Sequence, residues 1–492
     1  MSYDYDVVVI GGGAAGLTAS GMSANFGAKT MLVEAHRLGG DCTWTGCIPS
    51  KTLLKASRVV HQMRNAGKYG LIDTKPDINF KKIMEHVWEV RQDVYEEADQ
   101  PDIYRDMGID IEKGRAGFVD PHTIEIQGAD GEHRLITSRF FIISAGSSAF
   151  VPPIKGIQTV DYLTNASLFE LDKLPGELLI IGAGPIGTEM AQGFNRFGSK
   201  VTVVDMISRI LSKDDRELSE LLREKLEDEG MTYYLGANVK KVENAESTIN
   251  LHISYQGQQH ILKGDALLMA TGRRPNVDEL NPEAAGINFS PGGIEVNDRC
   301  RTSQKHIFAC GDITGRYQFT HMSEHMAKVA VTNALLRIPT KIDTKNVPWC
   351  TYTDPEMAHV GRTEDQLMRD NVNYKCYRFP FNKMDRAITE NETTGWIKVF
   401  ARKWSGKILG VSILGVNAGE MIGEFALAMR NGVSLRRMAD TIHPYPTYVL
   451  GNRRAADQWY VQNQSELLVK ALKKAFGYRG EIPDLSDPDR II

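Results

Sequence analysis

One pattern occurs twice in the chain: an apolar strand, a glycine-rich turn, a helix and a second strand that ends in an acidic residue. The first copy has GGGAAG at residues 11–16 and ends at Glu34, and the second has GAGPIG at residues 182–187 and ends at Asp205. Continuous apolar strands are typical of a parallel sheet buried on both faces. A G-x-G-x-x-G turn between strand and helix, followed by an acid about 20 residues later, predicts a dinucleotide-binding βαβ unit. We therefore expect an α/β fold with two such units.

Each glycine in these turns has a physical task. The first permits the tight turn, the second lets the backbone approach a pyrophosphate, and the third lets the helix pack on the strand. The helix N-terminus offers amide donors to the phosphates. The predicted nucleotide-binding residues are Gly11, Gly13, Gly16 and Glu34 in the first unit, and Gly182, Gly184, Gly187 and Asp205 in the second.

The acid of the second unit bears on the choice of nicotinamide. A carboxylate at Asp205 would accept a hydrogen bond from a ribose 2′-hydroxyl and repel a 2′-phosphate, which favours NADH over NADPH. Arg209 lies four positions later and is either a surface residue or a partner for a 2′-phosphate. Both NADH and NADPH therefore stay open, with NADH favoured.

Two of the six cysteines, Cys42 and Cys47, lie close together in the segment GGDCTWTGCIPSK at residues 39–51. In a reducing compartment such a pair is more often catalytic, redox-sensing or metal-binding than structural. Pro49 suits the first turn of a helix, which would place Cys47 at a helix N-terminus, where thiolate is favoured. Lys51 would lie one turn further on the same face. No second Cys/His cluster completes a zinc site, so we predict a redox pair and no metal.

Length and charge narrow the function classes. A chain of 492 residues exceeds the size of a single core, so two or more domains are expected. The 58 basic and 62 acidic residues are interspersed, which argues against nucleic-acid binding. No apolar run of about 18 residues predicts a membrane span. The N-terminus shows no targeting pattern, so we expect a cytoplasmic protein.

Hydrophobic periodicity suggests further elements outside the two repeats. The pattern of predicted strands and helices changes near residue 346, where we place a third domain of mixed helix and strand. The predicted elements are a helix at 78–98, strands at 123–127 and 140–144, a hairpin at 239–257, strands at 263–270, 306–309, 396–401 and 408–414, a helix at 419–431, and a helix with an irregular tail after 461.

Together these motifs resemble those of the pyridine nucleotide–disulfide oxidoreductases, in particular the branch of mercuric reductase and dihydrolipoamide dehydrogenase. The resemblance covers about residues 5–460. Beyond the cysteine segment and the two glycine motifs, it is carried by Glu189, ATGRRPN at 270–276, ACGD at 309–312, VP at 347–348 and TDPE at 353–356.

The resemblance implies a fold and a division of the chain. The fold would comprise two Rossmann-like nucleotide-binding domains, for FAD and NAD(P), and a C-terminal α+β dimerisation domain, so a homodimer is expected. The implied parts are the first FAD part at 1–150, the NAD(P)H domain at 151–275, the second FAD part at 276–345, the dimerisation domain at 346–460, and a helical extension and tail at 461–492.

The resemblance also implies roles for single residues. Electrons would pass from NAD(P)H through FAD to a Cys42–Cys47 disulfide, with Cys47 facing the flavin as thiolate and Cys42 attacking the acceptor. Lys51 and Glu189 would form an ion pair near the flavin. The implied FAD-binding residues are Gly11, Gly13, Gly16, Glu34, Lys51, Gly117, Gly146 and Asp312, and Gly272 joins the NAD(P)H-binding residues of the second unit.

The chain departs from the family near its C-terminus. Disulfide-reducing members carry His-Pro-Thr-x-x-Glu, whose histidine acts as acid–base. Aligning PT at 446–447 places Tyr445 at the histidine position and Leu450 at the glutamate position. His443, two residues earlier, is either a substitute acid–base or a structural histidine. Tyr445 resembles mercuric reductases, but the chain lacks their vicinal cysteines at its end.

Three functional hypotheses follow from the sequence. The first is an NAD(P)H-dependent flavoprotein that reduces a small disulfide, a thiophilic metal ion or another soft electrophile through its dithiol. The second is a diaphorase whose flavin reduces quinones or oxygen directly. The third is a redox-sensing protein whose dithiol state controls a binding partner.

Overall fold

Each glycine-rich repeat forms the centre of its own parallel sheet in the computed structural model, which describes residues 3–128, 131–246 and 248–482. The first part of the chain contains β1 (Tyr5–Ile10), α1 (Ala14–Asn25), β2 (Thr30–Glu34), α2 (Gly40–Trp44), α3 (Cys47–Arg64), α4 (Phe80–Val94), α5 (Pro101–Asp106), β3 (Ile109–Asp120), β4 (Thr123–Gly128), β5 (His133–Ile143) and β6 (Ser147–Ala149).

The middle of the chain holds the second repeat and the return to the first sheet. It contains α6 (Asn165–Leu168), β7 (Glu177–Ile181), α7 (Pro185–Phe197), β8 (Lys200–Asp205), α8 (Arg216–Asp228), β9 (Thr232–Leu235), β10 (Asn238–Ala245), β11 (Thr248–Tyr255), β12 (Gln258–Gly264), β13 (Ala266–Met269), β14 (Arg273–Pro275), β15 (Phe289–Ser290), β16 (Gly293–Ile294), β17 (Ile307–Ala309) and α9 (Thr320–Val331).

The C-terminal part is built on an antiparallel sheet. It contains β18 (Pro348–Thr351), β19 (Glu356–Gly361), α10 (Glu364–Arg369), β20 (Lys375–Pro380), α11 (Asp385–Thr389), β21 (Trp396–Ala401), β22 (Ile408–Gly415), α12 (Ala418–Arg430), α13 (Leu435–Ala439), α14 (Leu450–Gln462) and α15 (Glu466–Phe476).

In the first sheet, β1 lies between β2 and β5 and runs parallel to both, with β3 beyond β2 and β17 beyond β5. Val7 and Val9 of β1 enter one hydrophobic cluster, whereas Val8 and Ile10 enter another on the opposite face. Both faces are therefore buried, as the unbroken apolar strand predicts. Strands β3, β4 and β5 also form an antiparallel meander.

The second sheet has the parallel order β9-β8-β7-β13, and β10, β11 and β12 form an antiparallel meander beside it. The sequence predicted one strand at 263–270, but the structure ends β12 at Gly264 and begins β13 at Ala266. The break falls at Asp265, whose carboxylate accepts hydrogen bonds from the amides of Gly176 and Glu177. The strand predicted at 140–144 is the end of the longer β5, which begins at His133. The other predicted strands and helices are confirmed to within a few residues, except for the tail at 483–492, which lies outside the described residues.

The C-terminal sheet has the order β18-β19-β22-β21-β20, so the strands predicted at 396–401 and 408–414 are antiparallel neighbours. Helix α12 covers this sheet, with Phe425 and Ile413 in one buried cluster. None of the helices within the described ranges is long and apolar enough to cross a membrane.

Two buried cations connect the second sheet to the C-terminal part. Arg196 of α7 bonds Glu229 and Asp354. Lys398 of β21 pairs with Asp215, Glu217 and Glu364, on and around α8 and α10. Both cationic side chains are 4% exposed. Because an unpaired buried charge is costly, these contacts hold the two parts in a fixed relation.

Candidate active site

The first glycine of each repeat packs against the residue that follows a neighbouring strand of the same sheet, β5 for Gly11 and β13 for Gly182. Gly11 and Gly182 have φ of +101° and +111°, in the region that favours glycine. A Cβ at Gly11 would lie 2.4 Å from the Ser144 carbonyl oxygen, and one at Gly182 would lie 2.2 Å from that of Ala270. Both turns therefore require glycine for the same reason.

The third glycine of each motif lets the helix pack closely on the turn. The second glycine leaves open space at the helix N-terminus. A Cβ at Gly16 or Gly187 would lie within 2 Å of the carbonyl oxygen of the first glycine, at 1.7 and 1.9 Å. Gly184 faces open space, and Gly13 has only backbone of Gly40 nearby, at 3.8 Å. Both turns line one cavity of about 3110 Å³, several times the usual volume of a single-ligand pocket. This geometry fits two dinucleotides, with a pyrophosphate at each helix N-terminus.

The two terminal acids make matching contacts. Glu34 accepts hydrogen bonds from the amides of Gly12 and His36, each at 2.6 Å. Asp205 accepts them from Ala183 and Ile207, at 2.6 and 2.7 Å. Carboxylate oxygens keep a further lone pair, so each acid can also receive a ribose hydroxyl.

Arg209 is not free beside Asp205. Its guanidinium donates to the Ser212 carbonyl at 2.5 Å and to Asp365 at 3.2 Å, and its side chain is 19% exposed. It is therefore held by its own loop and by α10 in the C-terminal part.

The cysteine pair lies where α2 ends and α3 begins. Cys47 is the first residue of α3, as predicted, and Cys42 is in the short helix α2. The Cys47 sulfur lies 3.4 Å from the Thr320 hydroxyl at the start of α9. A hydrogen bond from the Cys42 thiol lowers the pKa of Cys47 to about 6 against the opposing effect of burial, with further help from Thr320 and Lys51. The same bond and burial raise the pKa of Cys42, so the arrangement favours thiolate at Cys47 over Cys42.

The pH dependence of Cys47 follows from this arrangement. Because its pKa is depressed, the thiolate should persist until the pH falls through about 6 and should then be protonated. Thr320→Val removes a donor and should raise the pKa of Cys47, whereas Thr320→Ser should restore the original value. Thiolate absorbance of the reduced protein against pH measures this. An unchanged titration in Thr320→Val would contradict the assigned hydrogen bond.

Lys51 and Glu189 form an ion pair of 3.0 Å beside the cysteines. Glu189 also accepts a hydrogen bond of 2.8 Å from the Tyr352 amide, and the Lys51 ammonium lies 4.5 Å from the Tyr352 ring centroid. Lys51 belongs to α3, whereas Glu189 follows the second glycine turn on α7. The pair therefore joins the cysteine segment to the second nucleotide unit.

Asp312 belongs to a cluster of polar side chains, only some of which stand in the sequence motifs. It accepts a hydrogen bond of 2.7 Å from Ser147, and burial raises its pKa. Arg273 donates to Ser147, at 2.7 Å to both the hydroxyl and the carbonyl, and pairs with Asp41 next to Cys42. Arg273 belongs to the ATGRRPN segment, but its partners come from two other elements.

Three glycines named from the resemblance occupy different places. Gly146 and Gly272 follow β5 and β13, have positive φ, and line the cavity. Gly117 is in β3 opposite Glu125, and a Cβ there would approach the Glu279 carbonyl at 3.4 Å. Gly117 does not line the cavity, whereas Lys113 of the same strand does.

Tyr445 and His443 lie outside this cavity. Tyr445 is 68% exposed on the segment before α14. The His443 side chain is buried, with one ring nitrogen 2.8 Å from Glu424 and the other 2.9 Å from the Thr441 carbonyl. Both nitrogens are thus engaged within the chain, an arrangement typical of a structural histidine.

The segment between the cysteines is clamped from two sides. The Trp44 indole donates to the Leu38 carbonyl at 2.8 Å and contacts the Arg37 guanidinium and the Tyr95 ring. Buried Arg91 of α4 donates to the Trp44 carbonyl, also at 2.8 Å. Trp44 is therefore held in place by packing, and it also lines the cavity. Neither Arg91 nor Thr320 stood out in the sequence, because each reaches the cysteines only through folding.

Comparison with known proteins agrees with this geometry. Residues 5–327 match the family described as pyridine nucleotide-disulphide oxidoreductase, and residues 347–453 match its dimerisation domain. The chain belongs to this family. Pyridine nucleotide-disulphide oxidoreductases are FAD-dependent enzymes that use NAD(P)H.

Relatives within the family carry several names. A mercuric reductase of Lysinibacillus sphaericus is 34% identical over 92% of this chain and 82% of that protein. A dihydrolipoyl dehydrogenase of Bacillus subtilis is 31% identical over 91% and 96%. The structure is similar to a Cu(II) complex of the HOCl-induced flavoprotein disulfide reductase RclA from Escherichia coli, with a TM-score of 0.83 and 30% identity over 93% and 99%.

Proposed function

We propose that the chain carries electrons from NADH to the Cys42–Cys47 pair and on to a small thiophilic acceptor, with a soft metal ion favoured. The observation that carries this proposal is that Cys42 and Cys47 line the cavity shared by both nucleotide-binding turns, where the pKa of Cys47 is lowered. When bound, FAD supplies a two-electron carrier between nicotinamide and disulfide. Glu34, Asp312 and the first glycine turn would hold it, and Asp205 and the second turn would hold NADH.

The chemistry of the pair can be balanced. Two electrons and one proton convert the disulfide into a Cys42 thiol and a Cys47 thiolate. A soft metal ion displaces the Cys42 proton and is bound by sulfur. The two sulfurs then give up two electrons and the disulfide re-forms. One metal ion accepts both electrons, or two metal ions accept one each.

The C-terminal segment supports a metal ion over a large disulfide. A leaving thiolate needs a proton donor, and such a relay contributes about 10² to 10⁴ in rate. Tyr445 and Leu450 stand where the family has its His–Glu dyad, and His443 is engaged with Glu424. Reduction of a metal ion needs no such donor. One of the relatives is named mercuric reductase, and one of the similar solved structures is named a Cu(II) complex of RclA.

We also propose a homodimer, with the domain division expected from the sequence. The match of residues 347–453 to a dimerisation domain supports it. Exposed Tyr445 would then face the partner subunit, where the family places its acid–base residue.

We expect NADH to be preferred over NADPH by roughly tenfold or more in kcat/KM, because a 2′-phosphate next to Asp205 would suffer like-charge repulsion. Arg209 is occupied by Ser212 and Asp365 and does not offset this. Asp205→Ser should lower the preference, and Arg209→Gln should leave it nearly unchanged. Steady-state kinetics with both nucleotides measures this; a preference for NADPH in the wild-type protein would contradict it.

Anaerobic NADH oxidation tests the acceptor. The FAD-loaded protein would be assayed with Hg²⁺ in excess thiol, with Cu²⁺ in the absence of free thiol, with a small disulfide and with a quinone. Turnover with a soft metal ion well above that with the disulfide would support the proposal. Turnover with the quinone alone, unaffected by blocking the thiols, would identify a diaphorase. No turnover with any acceptor would favour the redox-sensing hypothesis.

A further inference from the structure

Helix α15 lies beyond the family-matched segment, which ends at residue 453. It is bounded by its own caps: the Ser465 side chain accepts a hydrogen bond from the Leu468 amide at 3.1 Å, and Gly477 ends it with φ +70°. No residue of the helix is buried. Its fold is therefore local, and its side chains are accessible.

The helix is strongly two-sided. At 100° per residue, apolar side chains occupy a continuous arc, and the remaining arc is charged. The apolar arc contains Leu467, Leu468, Val469, Ala471, Leu472, Ala475 and Phe476, and the charged arc contains Glu466, Lys470, Lys473 and Lys474. Such an apolar arc normally faces the core of a protein.

Here the apolar arc faces outward. Leu467 is 81% exposed, Leu468 51% and Phe476 65%. By contrast, α12 buries Met421, Ile422 and Phe425 against the C-terminal sheet. An exposed apolar face of this kind marks an interaction surface.

The charge of the opposite arc points to the partner. Three lysines stand against one acid, Glu466, which pairs with Lys470 at 2.6 Å. Arg479 and Glu481 follow the helix with opposite charges, so the positive excess lies on the helix itself, whereas the chain as a whole has a net charge of −4. Leucine and phenylalanine on one face with lysine on the other is the composition of helices that lie in the interface of a bilayer. We propose that α15 binds the protein peripherally to an anionic lipid surface, with its apolar arc among the acyl chains and its lysines at the headgroups.

The proposed binding is reversible. A helix of 11 residues is only about 16 Å long at 1.5 Å per residue, and a short apolar face gives modest affinity. Two copies in the homodimer would raise the overall affinity through avidity. The inference is independent of the electron acceptor.

Vesicle flotation of the full-length, FAD-loaded protein tests this inference. The vesicles would be phosphatidylcholine alone, or phosphatidylcholine with phosphatidylglycerol. The test variants are Leu468→Glu with Leu472→Glu on the apolar arc, and Lys470→Gln with Lys474→Gln on the charged arc. The matched control is Leu135→Glu in β5, a leucine that is 62% exposed. NADH-linked turnover and dimer mass confirm that each variant is folded.

The wild-type protein should float with the anionic vesicles and not with the neutral ones. The leucine variant should lower the partition coefficient by tenfold or more, the lysine variant by about fivefold per charge, and Leu135→Glu should match the wild type. Failure to float with anionic vesicles would overturn the proposal. So would a leucine variant that still floats, or one that keeps its turnover but falls from dimer to monomer, because α15 would then pack on a second copy of the chain.

Discussion

Cys42→Ser should lower turnover with the metal acceptor by about 10³-fold or more, because Cys47 alone can neither re-form the disulfide nor share the metal ion with a second sulfur. The serine hydroxyl is still a donor toward Cys47, so the low pKa of Cys47 should largely survive, whereas Cys42→Ala should raise it. Stopped-flow and steady-state NADH oxidation would separate the two halves of the reaction. Reduction of the bound flavin by NADH should remain within a few-fold of wild type.

The matched control is Cys350→Ser. Cys350 also lines the cavity, but burial holds its pKa well above the ordinary thiol value. A thiol in that state is a poor nucleophile, so its loss should leave turnover nearly unchanged. Full metal turnover in Cys42→Ser, or equal losses in both variants, would show that the paired cysteines are not the route to the acceptor.

Arg196→Met should destabilise the folded protein by about 3–5 kcal/mol, the usual cost of breaking a buried ion pair. Arg196 makes two bonds of 2.8 Å to Glu229 and one of 2.8 Å to Asp354. Burial raises the pKa of Asp354, but Arg196 and Arg58 together hold it below its ordinary value. Without Arg196, Glu229 and Asp354 would remain poorly solvated and close to each other. Urea unfolding of the FAD-loaded protein measures the loss.

Arg223→Met is the control for this effect. Arg223 also pairs with two acids, Glu220 and Glu227, but along the surface of α8. Exposed pairs of this kind contribute about 0–1 kcal/mol. Adding Glu229→Gln to Arg196→Met should recover part of the stability, because it removes a charge that lost its partner. Similar losses for Arg196→Met and Arg223→Met would contradict the role given to the buried contact.

The parts of the site that are local in sequence were predictable. The two glycine turns and their acids are each complete within one βαβ unit, so the chain shows them without tertiary information. The same holds for Cys47 at the start of α3, because Pro49, which marks the first turn of the helix, is only two residues away. Lys51 and Glu189 are 138 positions apart, and only the resemblance to a family brought them together in advance.

The parts that depend on packing were not predictable. Thr320 approaches Cys47 from 273 positions away, and α9 begins there without a side-chain cap that would mark it. Arg91 reads as one more charge on an amphipathic helix, yet it is buried against the Trp44 carbonyl. Lys398 stands within an apolar strand, and its three carboxylate partners come from other elements. Each depends on contacts that appear only once the domains are assembled.

Anaerobic titration of the FAD-loaded protein with NADH, followed at each step by alkylation and mass mapping, tests the central claim most directly. The first two electrons should appear as two alkylatable thiols, at Cys42 and Cys47, while the flavin spectrum returns to its oxidised level. The next two should then bleach the flavin. If the first equivalent instead bleaches the flavin and no new thiol appears at either cysteine, the pair does not receive the electrons and the proposed route is wrong.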